Sequence, residues 1–402
     1  MSRDVSANVC SVQTIASLDE FRELASTWHE LWGRCKGHRT PFLDFDWARL
    51  WAEHYHMDGS LRVLVVSRDS HVLGIVPLVM HRYAVGPVGM DVAETLAGQS
   101  RNIVGLVQPG AEKSVAQAVA TYIADNMLSQ GTSLRLSLVP EGSSFADALV
   151  GALTACGYGG STSKQVVSRA PYAPLPVSWE DYWGARSHKR RKLLRRASRT
   201  LEREYDVSFV DCREDEVFWG MEALYELHQK RWEGTGLRGL FADSRARAFH
   251  SAVAVANSRS GLLRVSVMMV DGKPVSSHLL GVLDGTIYLM RSGRDESLAR
   301  YSIGHLHDAH LFQRSIREGL IEADFLRGAE PYKFYWTTRY RIYNDTLVAG
   351  RAGHGIVPVR FVRLWLRVAQ FCEHRHSAGE LLGILRIRRW EARERQRMGL
   401  DI

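Results

Sequence analysis

Apolar and polar positions along the chain repeat one pattern twice. Leu61–Val66 reads LRVLVV, and Leu263–Met268, 202 residues further on, reads LRVSVM. Each run passes through a turn into a second strand-like run, SRDSHVLGIVPLVM in the first case and MVDGKPVSSHLLGVL in the second. Short apolar runs bounded by turn residues predict strands. Asp271-Gly272 is a strong hairpin signal, and Asp69 stands at the matching place in the first copy. Each hairpin follows a Trp-containing helical stretch, Phe21–Trp32 with Trp47–Tyr55 in one half and Val217–Trp232 in the other. The repeated order, more than the few identities, predicts two copies of one plan.

The second copy can be read further. Thr286–Arg291 alternates like a strand, and Ile303–Glu318 spaces Ile303, Leu306, Ala309, Phe312 and Ile316 as an amphipathic helix does, with Gly319 as its C-terminal cap. Ile321–Leu326 and Tyr343–Ala349 are the next strands, with a short helix between them. The first half offers a similar tail, a helix over Ala111–Leu128, a strand over Ser133–Leu138 and a helix over Ser144–Cys156. Between the halves, the stretch APYAPLP near Ser168–Pro176 is expected to interrupt regular structure. The predicted organisation is two domains, residues 1–168 and 169–355, followed by a basic helical tail over 356–402.

At 402 residues, with 45% hydrophobic and 24% charged positions, the chain has the balance of a globular protein with room for two cores. No stretch approaches the roughly 20 apolar residues that span a bilayer, and MSRDVSANVC has no apolar run behind its charges. The expectation is a cytoplasmic protein, peripheral at the inner membrane at most. Five scattered cysteines without C-x-x-C spacing suit reduced thiols. The net charge of +8 is concentrated: from Arg186 to Glu204 nine Lys or Arg face two Glu, and a smaller cluster at Arg386–Arg397 sets six Arg against two Glu. A solvated helix face and a contact with a phosphate-rich partner both fit the first cluster; its density favours the partner. Within it, Arg190 and Arg191 are candidates for the phosphates of a cofactor.

The most unusual run is Asp324–Trp336, DFLRGAEPYKFYW, in which charges and aromatics gather around a Gly and a Pro at a strand end. Such an end is where clefts open in α/β sheets. Asp324 or Glu330 could serve as base or orienter, with Arg327 and Lys333 holding anionic groups. The same residues would equally form an internal set, Asp324 with Arg327 and Glu330 with Lys333, that pins a turn. Ser302, Ile303, Gly304 and His305 open a helix after a strand, where free N–H groups and the dipole end favour phosphate. Ser302 would be the N-cap, and Gly304 would allow close approach. His278, on the second hairpin strand, is a candidate base or a wall residue. His305, His307 and His310 lack an H-E-x-x-H pattern, so no metal is expected, and G-x-S-x-G and P-loop signatures are absent.

DFLRGAEPYKFYW resembles the signature of the BioF2-like, or CelD-type, acetyltransferase domain of the GNAT superfamily. The likeness extends to Ser292-Gly293 with Tyr301-Ser302-Ile303-Gly304, to His228–Trp232 and to Ser187–Arg191, covering roughly residues 170–345. Ile303 stands where the family usually has Pro, and Ala329 where it often has an acid. The resemblance implies an α/β fold of two tandem GNAT-like (acyl-CoA N-acyltransferase) domains with mixed, mostly antiparallel sheets. It implies acetyl-CoA or another acyl-CoA as co-substrate, an amine or hydroxyl of a small molecule or saccharide as acceptor, and a place in polysaccharide or cell-envelope biosynthesis. Arg231, Trp232, Tyr332 and Trp336 would contact substrate. Relatives also include the FemA/B aminoacyl-tRNA transferases, which the basic helix would suit, while an anionic membrane surface would suit it too. A non-catalytic scaffold of a polysaccharide synthase is the remaining alternative.

Overall fold

The computed structural model describes residues 10–55, 57, 59–85, 87–96, 104–233, 238–352, 355–356 and 359–373. They form two compact units: residues up to Ser168 and again from Ile342 belong to the first, and Arg169–Arg341 make the second.

The first unit begins with β1 (Ser11–Ile15), helices α1 (Leu18–Glu23), α2 (Ala25–Arg34) and α3 (Phe45–His54), and strands β2 (Leu61–Arg68), β3 (His71–Val85) and β4 (Val88–Thr95). It continues with the short β5 (Leu106–Val107), α4 (Glu112–Asn126), β6 (Ser133–Pro140), α5 (Ser144–Leu153) and β7 (Thr162–Pro174), which leads into the second unit. The strands β1 to β4 pair antiparallel in sequence, and β4 pairs β6 in parallel. β2 shows why LRVLVV has no clean alternation. Val63 and Val65 meet Phe21, Trp28 and Phe45 on one face, and Leu64 and Val66 meet Val115, Val119 and Leu149 on the other. A strand buried on both faces reads as a continuous apolar run.

The second unit repeats this order. After α6 (Trp179–Gly184) and α7 (His188–Glu204) come β8 (Val207–Cys212), α8 (Glu216–Glu233), α9 (Ser244–Ser258), β9 (Leu263–Val270), β10 (Lys273–Leu283) and β11 (Thr286–Arg294). Then follow α10 (Ile303–Arg317), β12 (Glu322–Asp324) and a short 3-10 turn over Pro331–Tyr335. Strands β8 to β11 pair antiparallel, β11 pairs β12 in parallel, and β12 pairs β7 antiparallel. The 202-residue offset holds at the start of β2 and β9, and of β3 and β10. Both hairpins turn through an aspartate of positive φ, Asp69 at 48° and Asp271 at 48°. Gly319, at φ 77°, ends α10 as its spacing predicts.

Three expectations are corrected. β7 continues through Pro171 as far as Pro174 before the stretch APYAPLP ends it, because proline contributes its carbonyl: Phe325 N–H donates to Pro171 O. The second unit closes before residue 355, since β13 (Tyr340–Val348) pairs β6, and the β14–β15 hairpin (Arg351–Ala352, Gly355–Ile356) follows it. Helix α11 (Val359–Glu373) is no free tail: Val362 and Leu366 pack with Tyr83, Val92 and Leu347 of the first unit. The arginine cluster at Arg386–Arg397 lies outside the described residues.

Candidate active site

β11 and β12 hold each other over three positions only, Thr286↔Glu322 to Tyr288↔Asp324, while β11 continues to Arg294. Beyond that point the chain after β12 turns away through Leu326 (φ 58°) and Gly328 (φ 101°). Arg294 ends β11, and α10 starts nine residues later. Ser302 precedes α10 in left-handed backbone (φ 55°) and gives no side-chain cap, contrary to the expectation. The first N–H groups of α10 are therefore left without the usual side-chain acceptor. No acidic residue stands in its first turn. A Cβ on Gly304 would lie 3.3 Å from Arg294 Cδ and a guanidinium nitrogen, so the guanidinium sits over the helix start. N–H groups, helix dipole and a cation converge there, as phosphate binding requires. Ile303 contributes backbone alone, its side chain being buried with Met268, Val270 and Tyr301.

One turn into α10 lies a residue that sequence reasoning missed. Asp308 is 3% exposed and accepts from Trp336 Nε1 at 3.1 Å through Oδ2. Its Oδ1 is 3.8 Å from His278 Nε2, and its Oδ2 is 4.0 Å from His305 Nδ1. Burial pushes this carboxyl up to about 7, against the Trp336 hydrogen bond and the Arg294 charge. Burial, helped by Arg294, pushes His278 down to about 3. Burial with Arg294 and Arg190 pushes His305 to about 4. His305 is the reachable member, its side chain 27% exposed and stacked on Tyr335 at 4.3 Å. Beneath it His307 spans Ser276 Oγ (2.9 Å) and Ser266 Oγ (3.2 Å), fully enclosed.

Around this centre the expected residues divide. Arg231 lies 3.7 Å from Glu296, which also pairs with Arg294 at 3.0 Å; burial and then the Arg294 charge hold its guanidinium below the ordinary value. Tyr332 is driven up by burial beside Glu330 and Asp308. Trp232 donates to His228 Nε2 at 3.1 Å, fixing the end of α8. Arg190 donates to Tyr335 O at 2.8 Å and stacks on that ring, so it holds the wall of the site. Arg191 faces outward along α7 with other cations.

Four residues expected to do chemistry or touch substrate are instead committed to scaffold. Asp324 is fully buried, accepts from Leu326 N–H at 2.7 Å and faces Arg341 at 3.5 Å. Lys333 is 4% exposed, donating to Arg327 O (2.7 Å) and Gly328 O (3.2 Å) with Glu330 at 2.8 Å. That commits Glu330 to Lys333, while Arg327 is exposed with Glu330 as its nearest charge partner. Trp336 is fully buried among Trp183, Phe312 and Phe325, so its role is to hold Asp308. The internal-set reading thus describes this loop better, except that Arg341 takes the place given to Arg327.

The first unit lacks the counterparts. At the 202-residue offset Ser266, Ser276 and His278 correspond to Leu64, Gly74 and Val76, and Val76 sits in an apolar cluster. Helix α4 carries Glu112 in its first turn, which occupies the anion-favouring end. Among the described residues no group of three or more His, Cys, Asp or Glu is placed to hold a metal ion.

The sequence pattern of the acetyltransferase (GNAT) domain family matches residues 188–334. That match lies wholly within the second unit. No curated protein matches the chain by sequence. Among solved structures, FemX aligns at 13% identity with a TM-score of 0.53, covering 78% of this chain and 92% of its own. A protein of unknown function from Bacteroides thetaiotaomicron aligns at 12% and 0.52, covering 85% and 100%. The C-terminal domain named for a lysylphosphatidylglycerol synthetase of Agrobacterium fabrum aligns at 10% and 0.53, covering 88% and 95%. At these identities the likeness is one of fold, and it runs through both units.

Proposed function

We propose that the second unit transfers an acyl group from acyl-CoA to an amine or hydroxyl, its donor diphosphate seated on the start of α10 beside Arg294. The observation that carries this reading is the uncapped helix end at Ser302–His305, free of acid and covered by one guanidinium. The residues fit CoA in chemistry: N–H donors and Arg294 for the diphosphate, and the diverging strands β11 and β12 for the extended arm. Acyl-CoA supplies the activated thioester. The acceptor's lone pair attacks the carbonyl carbon, the C–S bond breaks, and the thiolate leaves to take up a proton. His305, neutral near pH 7, takes the acceptor's proton, and ionised Asp308 offsets the resulting positive charge. In this reading Arg231 and Tyr332, both close to Glu330, contact the acceptor. Following the resemblance, that acceptor is a saccharide or an envelope component.

The test is release of free CoA thiol from acetyl-CoA and longer acyl-CoAs, with amino sugars and simple amines offered as acceptors. Acceptor-dependent release, lost in His305→Gln and in Arg294→Ala, supports the reading. Release that ignores both substitutions would place the chemistry elsewhere.

A further inference from the structure

The outward face of α7 is unused by this chemistry. Arg191, Lys192, Arg195, Arg196, Arg199 and Arg203 recur at helical spacing and line one open groove of about 440 Å³, with His188 at its end. From His188 to Arg203 the rise is roughly 22 Å at 1.5 Å per residue. Only Arg203 has a carboxylate within 4 Å among the described residues, Glu204 at 3.7 Å. Glu202 accepts from Ser198 instead. Leu194 and Leu201 are buried on the opposite side, so the helix is anchored to its own unit, and its outer side is cationic apart from the exposed Leu193.

We propose that this face docks the protein on an anionic lipid surface. The row is longer than the diphosphate of one small donor needs. It carries no aromatic side chain on which bases could stack, which disfavours a single nucleic-acid strand. The arginine-rich end of the chain bears the same sign, so its charge does not complement this face. With Leu194 and Leu201 buried and Leu193 alone exposed among its leucines, the helix lies at headgroup depth and does not insert deeply. An array of cations of which Arg203 alone has an acidic partner among the described residues is what a field of phosphates complements. The docked face adjoins the site, because Arg190 holds Tyr335 at one end of α7 and Glu204 meets Tyr301, just before α10, at the other. Docking therefore brings an envelope acceptor to the donor. The proposal does not depend on the donor being acyl-CoA.

The experiment is co-sedimentation of the full chain with vesicles of phosphatidylcholine, with and without phosphatidylglycerol. Each cation near such a surface is worth a factor of about five. The expected result is binding to phosphatidylglycerol vesicles alone, weakened by salt, and reduced at least about a hundredfold by Arg195→Glu, Arg196→Glu and Arg199→Glu together. The triple variant must keep the parent's melting curve; Arg195→Gln with Arg196→Gln, a milder pair, should fall between the two. Indifference of the parent to anionic vesicles, or binding that survives charge reversal, overturns the proposal. So does binding of bulk tRNA through the same arginines with no affinity for vesicles.

Discussion

Asp308 concentrates the proton chemistry of the site in one side chain. Its carboxyl, pushed up to about 7 by burial, is part-ionised near neutrality, whereas His305 beside it stays neutral. If His305 accepts the proton, kcat/KM should rise with pH through about 7 as Asp308 ionises. Asp308→Asn should flatten that limb and lower the rate by about a hundredfold or more, with donor binding retained. A profile unchanged in the variant would remove Asp308 from the mechanism. Stability follows the same groups. His228, His250, His278 and His305 are held at about 4, 3, 3 and 4, below the ordinary 6.5. The unfolded chain takes up protons first, so stability present above pH 6.5 is lost as pH falls toward 4. Asp308, raised from 3.8 to about 7, acts in the opposite sense: its contribution is present at low pH and lost as pH rises through 7. Four histidines outweigh one carboxyl. The urea midpoint should therefore fall from pH 7 to pH 5, more steeply in Asp308→Asn. A flat profile would mean that these histidines are more hydrated than their burial implies.

At the scale of elements, the loop between β12 and β13 is a scaffold built around Lys333. Lys333→Met would leave Glu330 and two carbonyls without their cation and should cost about 1–3 kcal/mol by chemical denaturation. Binding of the donor at α10 should persist, because that helix end does not rest on Lys333; loss of donor binding would mean that the loop forms part of the donor site. Much here was legible in the sequence, since both hairpins, their Asp turns and α10 follow from local pattern and turn chemistry. What escaped depends on tertiary placement. Nothing local distinguishes Asp308 from a surface acid on a helix until Trp336, His278 and His305 close over it. Asp324 and Lys333 looked catalytic because charge beside Gly and Pro at a strand end is ambiguous until burial is known. Ser302 has the residue type of a cap, yet its left-handed backbone turns its hydroxyl from that duty. The prolines of β7 misled because only their missing N–H was weighed, and the sheet uses the carbonyl of Pro171.

At the scale of the molecule, two units share one plan, and the serines and histidine beneath α10 are replaced at the matching described positions of the first. The position of His278 is filled by Val76 in the first unit, and the helix start that is free of acid in α10 carries Glu112 in α4. The internal repeat was legible in the sequence, and the resemblance already pointed to the second copy for the chemistry; the replaced positions agree with that reading. Glu112→Gln should leave acyl transfer unchanged, and a loss of rate there would give the first unit a part in the reaction. The most direct test of the central claim is thermal unfolding with and without acyl-CoA. A ligand that binds only the folded state adds about 2.7 kcal/mol at a hundredfold excess over Kd. The account predicts a raised midpoint with acyl-CoA, abolished by Gly304→Leu, whose side chain would displace Arg294 and cover the helix end. An unshifted midpoint in the parent, or a shift that survives in Gly304→Leu, would contradict it.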